Sequence, residues 1–133
     1  MQVDRCHITD CVERDIWTNG AATLVTDCIV SGVGTSTGVT LHNGSRVVRT
    51  VVRGGGTGIA LNASTAVDCN VTGAATGFTM SESTLRASES FKNVTGVFSN
   101  QTANVIMGTR ITTNTNTFGG GGFYTNGGGN VIQ

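Results

Sequence analysis

From residue 37 onward the chain repeats one short pattern of polar and apolar positions. Thr37-Gly38-Val39-Thr40-Leu41-His42 returns as Thr57-Gly58-Ile59-Ala60-Leu61-Asn62, then as Thr76-Gly77-Phe78-Thr79-Met80-Ser81, and again as Thr95-Gly96-Val97-Phe98-Ser99-Asn100. The starts lie 20, 19 and 19 residues apart. Anchored on the apolar residue after Thr-Gly, one column reads Ile16, Val39, Ile59, Phe78, Val97 and Phe123. A second runs through Ile8, Val30, Val52, Val71, Phe91 and Ile111, with Cys6, Cys28, Thr50, Cys69, Glu89 and Thr109 two positions earlier. Polar turn residues recur three positions after the anchor: Asn19, His42, Asn62, Ser81, Asn100 and Asn126.

Within each repeat, apolar and polar residues alternate with period two between Gly, Asn and Ser corners, which predicts two or three short strands and no helix. A unit of about 20 residues cannot bury its apolar face alone, but units stacked ~4.8 Å apart bury a continuous core. The prediction is therefore an all-β fold: a single-stranded right-handed parallel β-helix, or β-solenoid, of about six coils of 19–26 residues. One domain spans 1–133. The chain opens and closes in mid-coil without a capping helix, so it is expected to be a segment of a longer chain or to have its ends covered by neighbouring subunits.

Composition narrows the partners. Net charge is zero and only 12% of residues are charged, which gives no basic surface for nucleic acid. No apolar run approaches the roughly 18 residues of a membrane span, so no membrane insertion is expected. No signal peptide is visible. The four cysteines, Cys6, Cys11, Cys28 and Cys69, form no CxxC pair, so free thiols are expected rather than a metal site. No cofactor is implied.

The Asn turn column, the inward aliphatic stacks and the coil length resemble the pectin-lyase-like right-handed parallel β-helix superfamily. The Thr/Asn/Gly-rich texture is similar to the shaft of bacteriophage tailspikes. The resemblance implies a virion-tail location, extracellular once assembled after synthesis in the host cytoplasm. It also implies a homotrimer, other segments of the same spike as partners, and contact with a cell-surface polysaccharide. It does not by itself imply catalysis, because this fold carries lyases, hydrolases, adhesins and inert shafts. The lyases' clustered aspartates and the hydrolases' adjacent aspartates with Gly-His-Gly have no counterpart here. His7 and His42 are 35 residues apart, and Gly119–Gly122 has no following Lys.

Two outward columns carry the remaining chemistry. Arg5, Asp27, Arg49, Asp68 and Ser88 alternate in sign and read as an ionic ladder. Asp27 and Asp68, two coils apart at ~9.6 Å, approach an inverting-glycosidase spacing, but Arg49 between them would lower both pKa values. Glu13, Asp15, Asp27 and Asp68 are the only candidates for catalysis, in the alternative of a polysaccharide lyase or glycoside hydrolase fragment. The other column, Trp17, Thr40, Ala60, Thr79, Phe98 and Tyr124, places aromatics beside small residues. With His42 it predicts a shallow trough for an extended saccharide or a protein partner. Ile29 and Val51, outward on another sheet, favour an interface there. Glu89 falls on an inward position unless a bulge turns it out. The expected function is a structural, host-surface saccharide-binding β-helix module of a tailspike or virion fibre.

Overall fold

The computed structural model describes residues 1–101, 103–122 and 124–133; Phe123, assigned to the anchor column by its sequence spacing, lies outside them. Three parallel sheets of seven, seven and six strands stack along one axis, and the chain visits each sheet once per coil. The first sheet begins with Gln2–Asp4, Leu24–Thr26 and Arg46–Val48; the second with His7–Thr9, Ile29–Gly32 and Val51–Gly54; the third with Arg14–Asn19, Thr37–His42 and Thr57–Asn62. Among the described residues no strand pairs with its neighbour in sequence, so the ladders join one coil to the next. This is the β-solenoid that the repeat predicts, with about six coils.

Like residues stack in register. Val25, Val47, Ala66, Leu85 and Ile106 line the inside of the first sheet. Val30, Val52, Val71, Ser90 and Ile111 line the second. Ile16, Val39, Ile59, Phe78, Val97 and Phe118 line the third. Most of these side chains have no measurable exposure and form one continuous core. Complete burial of a valine, leucine or phenylalanine side chain contributes roughly 1.5–3 kcal/mol, so the columns supply the main driving force.

Why the chain is so rich in Ser, Thr, Asn and Cys becomes clear at the corners. Between the first and second sheets, Arg5, Asp27, Arg49, Asp68, Ala87, Gly108 and Gly129 all take positive φ, between 48° and 69°. The residue after each turns inward: Cys6, Cys28, Thr50, Cys69, Ser88, Thr109 and Asn130. From Cys6 to Thr109, each thiol or hydroxyl donates to the carbonyl two residues earlier, as Thr50 Oγ1 does to Val48 O at 3.2 Å. Several also accept a backbone N–H from the preceding coil, as Ser88 Oγ does from Cys69 N at 3.1 Å and Asn130 Oδ1 from Thr109 N at 2.9 Å. A left-handed non-glycine residue costs roughly 1–2 kcal/mol, and these bonds satisfy the backbone groups that the turn exposes. Asn93 with Asn114, and Ser64, Ser83 and Asn104, repeat the device at the other two corners.

The Thr-Gly signature has a steric cause. A Cβ on Gly38 would lie 2.5 Å from Val52 Cγ1 and 2.8 Å from the Gly58 carbonyl oxygen, where the third sheet starts against the second.

The register departs from the sequence reading at two places, around Ser90 and around Phe118. Ser90, not Phe91, pairs with Val71 and Ile111, and Phe91 pairs with Thr72 and Thr112. Ser88 consequently faces inward and Ala87 takes the corner. Glu89 faces outward through this register, with no bulge needed. In the last full coil Phe118 pairs with Val97, which shortens that coil to 21 residues from the expected 26. Tyr124 and Asn126 pair with Asn104 and Ile106 in the first sheet, so neither continues the trough or the turn column.

Candidate functional site

The outer face of the third sheet forms the trough. In-register pairing runs Trp17, Thr40, Ala60, Thr79, Phe98 and then Gly119, so the column ends on a glycine, not on Tyr124. Tyr124 instead stacks on the core ring of Phe118, with centroids 4.9 Å apart. A depression of about 200 Å³ is lined by Thr40, His42, Ala60, Asn62, Thr79, Ser81 and Asn100, with the backbone of Leu41 and Leu61 below. Trp17 stands at one end, 51% exposed. Its ring leans on His42, with centroids 5.9 Å apart and planes tilted by 50°. Phe98 stands at the other end, half-buried, beside Gly119. Small residues in the middle and rings at the ends follow directly from the repeat, since each coil contributes one residue per column.

Thr40 has a feature that its sequence does not announce. It is only 8% exposed, and its hydroxyl oxygen is shut off from solvent without a hydrogen-bond partner. Its neighbours in the column are Trp17 and Ala60, and neither side chain carries an acceptor in reach.

The four carboxylate candidates are separated by the fold. Asp27 accepts a two-pronged bond from Arg49, Nε to Oδ1 and Nη2 to Oδ2, both at 2.7 Å. Arg49, helped by the Thr26 hydroxyl, holds the Asp27 carboxyl down at about 2. A general acid at neutral pH needs the opposite shift. Of the expected ionic ladder one inter-coil pair forms, Asp27 with Arg49; Arg5 bonds Asp4 of its own coil and Ser88 faces inward. Asp68 lies farther along that corner, above a polar groove of about 390 Å³ shared with Asn70, Glu89 and Arg110. There Asn70 Nδ2 donates to Glu89 Oε2 at 3.0 Å, and Arg110 sits 3.9 Å from Glu89. Glu13 is exposed on the loop before the third sheet, where its carbonyl accepts from Thr37 N at 2.8 Å.

Asp15 is displaced from the role its sequence suggests. Its flanking residues pair with Thr37 and Val39, so it occupies the position that Gly38, Gly58, Gly77 and Gly96 hold in later coils. Both carboxylate oxygens are buried and accept no hydrogen bond. Burial pushes its pKa up; the Cys11 thiol, whose proton is directed to the Thr9 carbonyl at 3.9 Å, opposes this weakly.

The cysteines are free, and burial pushes Cys69 up to about 11. Among the described residues, no group of three or more His, Cys, Asp or Glu side chains is arranged to hold a metal ion. Compared with protein-family models, with curated proteins and with solved structures, the chain matches none.

Proposed function

We propose that this chain is a rigid β-solenoid module of a virion fibre or tailspike, which presents its third-sheet trough to a saccharide of the host surface. The trough between Trp17 and Phe98 carries the proposal. Aromatic faces pack against the C–H faces of sugar rings, and the polar wall of His42, Asn62, Ser81 and Asn100 offers donors and acceptors to hydroxyls. Corner ladders suit a shaft, because most coil steps are fixed by side-chain as well as backbone hydrogen bonds. For the depolymerase alternative, Asp27 is held ionised by Arg49 and the Asp15 oxygens are buried, which leaves Glu13 and Asp68 as its candidates.

Trimeric assembly belongs to the same proposal. Ile29 and Val51 are in-register neighbours on the outside of the second sheet, and Ile29 is exposed. Light scattering on a size-exclusion column tests it. Three times the 13.6 kDa chain mass supports the fibre, whereas a monomer at all concentrations removes the assembly and leaves a lone binding module. Glycan binding that disappears in Trp17→Ala supports the trough; full retention in that variant contradicts it.

A further inference from the structure

Resting on the saccharide reading, we infer that the trough takes an uncharged glycan laid along the solenoid axis, and that the Thr40 hydroxyl is its specificity-determining contact. After the first coil, the five strands of the third sheet, Thr37–His42, Thr57–Asn62, Thr76–Ser81, Thr95–Ser99 and Asn116–Gly119, contain no Asp, Glu, Lys or Arg. The other two sheets place charges outward at Arg46, Arg53, Arg86, Glu89 and Arg110. A uronate, sialate or phosphate group brought onto these five strands would lose hydration and gain no fixed counter-charge from them, which is costly; the exposed cation of this sheet, Arg14, lies on the first-coil strand, three residues before Trp17. A neutral hydroxyl or N-acetyl group exchanges water for Asn, Ser and Thr partners at little cost.

The geometry sets the direction. Trp17 to Phe98 spans four coil steps, ~19 Å along the axis, with the small side chains of Thr40, Ala60 and Thr79 between the rings. Within that span the Thr40 hydroxyl is the polar group already withdrawn from water with nothing bonded to it. Trp17 lies beside it in register, and its ring rests on His42 with half of its surface free. A glycan that stacks on Trp17 shifts this ring and brings a sugar hydroxyl to Thr40 Oγ1. That bond satisfies an orphan group, so it discriminates more strongly than the exposed contacts of Asn62 or Asn100, which exchange one partner for another.

Trp17 is the sole tryptophan, so its fluorescence reports the trough alone. The full chain is titrated with cellohexaose, maltohexaose and chitohexaose, and with hexagalacturonate and a sialic acid oligomer; an array of neutral and acidic glycans extends the panel. The expected result is a saturable fluorescence change with neutral glycans only, weakened about tenfold by Thr40→Val and restored by Thr40→Ser. Binding of acidic glycans in preference to neutral ones overturns the inference while leaving the saccharide reading intact. Neutral binding that Thr40→Val leaves unchanged overturns the role of Thr40. No binding across the array overturns both the inference and the reading on which it rests.

Discussion

Thr40→Val isolates one atom. The substitution keeps the β-branch and the strand preference, and replaces only the hydroxyl with a methyl group. In the native chain that hydroxyl is buried without a partner, in a residue only 8% exposed. A buried polar group left unsatisfied costs about 1–3 kcal/mol. The methyl removes this cost, so the variant is expected to be more stable by about 1 kcal/mol, the low end, because the site is close to the surface. With an unfolding entropy near 2.1 cal/mol/K per residue, a domain of this size gains about 4 °C in Tm for each kcal/mol. Scanning calorimetry of Thr40→Val beside Thr79→Val reads the effect. Thr79 sits on the same column but is not buried with an orphan hydroxyl, so its variant should stay within about 0.5 kcal/mol of wild type. An unchanged or lowered Tm for Thr40→Val, or an equal gain in both variants, refutes the argument. The expected pairing of higher stability with weaker glycan binding is the usual signature of a polar group kept for function.

Other perturbations test the frame. Asp15→Asn should stabilise the fold at neutral pH. The folded carboxyl is raised by burial, so its contribution is complete below the unfolded value of about 3.9 and is lost as pH climbs through the folded value. The advantage of the variant over wild type, followed by urea titration from pH 3 to 8, should therefore grow with pH and then level off; a difference independent of pH would contradict the burial of Asp15. Arg49→Ala should return the Asp27 titration from about 2 towards 3.9 in an NMR pH series, with little change in stability because the pair is exposed. In the wild type the Asp27 contribution is present above the unfolded value and fades as pH falls towards about 2. Asn104→Ala should cost roughly 2–4 kcal/mol in chemical denaturation, since the fully buried amide donates to Met80 O at 3.1 Å and Ser99 Oγ at 2.8 Å and accepts from Ser83 N at 2.9 Å. A cost below 0.5 kcal/mol would mean that the corner ladders are incidental.

The solenoid was legible because coils two to five repeat Thr-Gly and an apolar anchor at 19 or 20 residues, and steric contact with the second sheet preserves the glycine. The trough floor of Thr40, Ala60 and Thr79 followed from the same register. Legibility failed where the punctuation changes. Asn116-Thr117-Phe118 lacks the glycine, so spacing alone moved the anchor to residue 123 and carried Tyr124 into the wrong sheet. In Ser88-Glu89-Ser90-Phe91 the large apolar Phe91 drew the core assignment, whereas the core accepts Ser90, whose hydroxyl donates to Gly96 O at 2.8 Å. The left-handed corners were hidden by their side chains: Arg5, Asp27, Arg49 and Asp68 read as a charge ladder, and their shared conformation is a property of the backbone. The orphan hydroxyl of Thr40 and the sealed carboxylate of Asp15 depend on packing between coils, which no single repeat records.

The most direct test of the trough as the recognition surface is chemical-shift mapping by NMR with a neutral glycan that binds. The account predicts perturbations confined to the Trp17 indole and the amides of Thr40, Ala60, Asn62, Thr79 and Asn100. Perturbations centred on Ile29 and Val51, or on the Asp68–Arg110 groove, would contradict it.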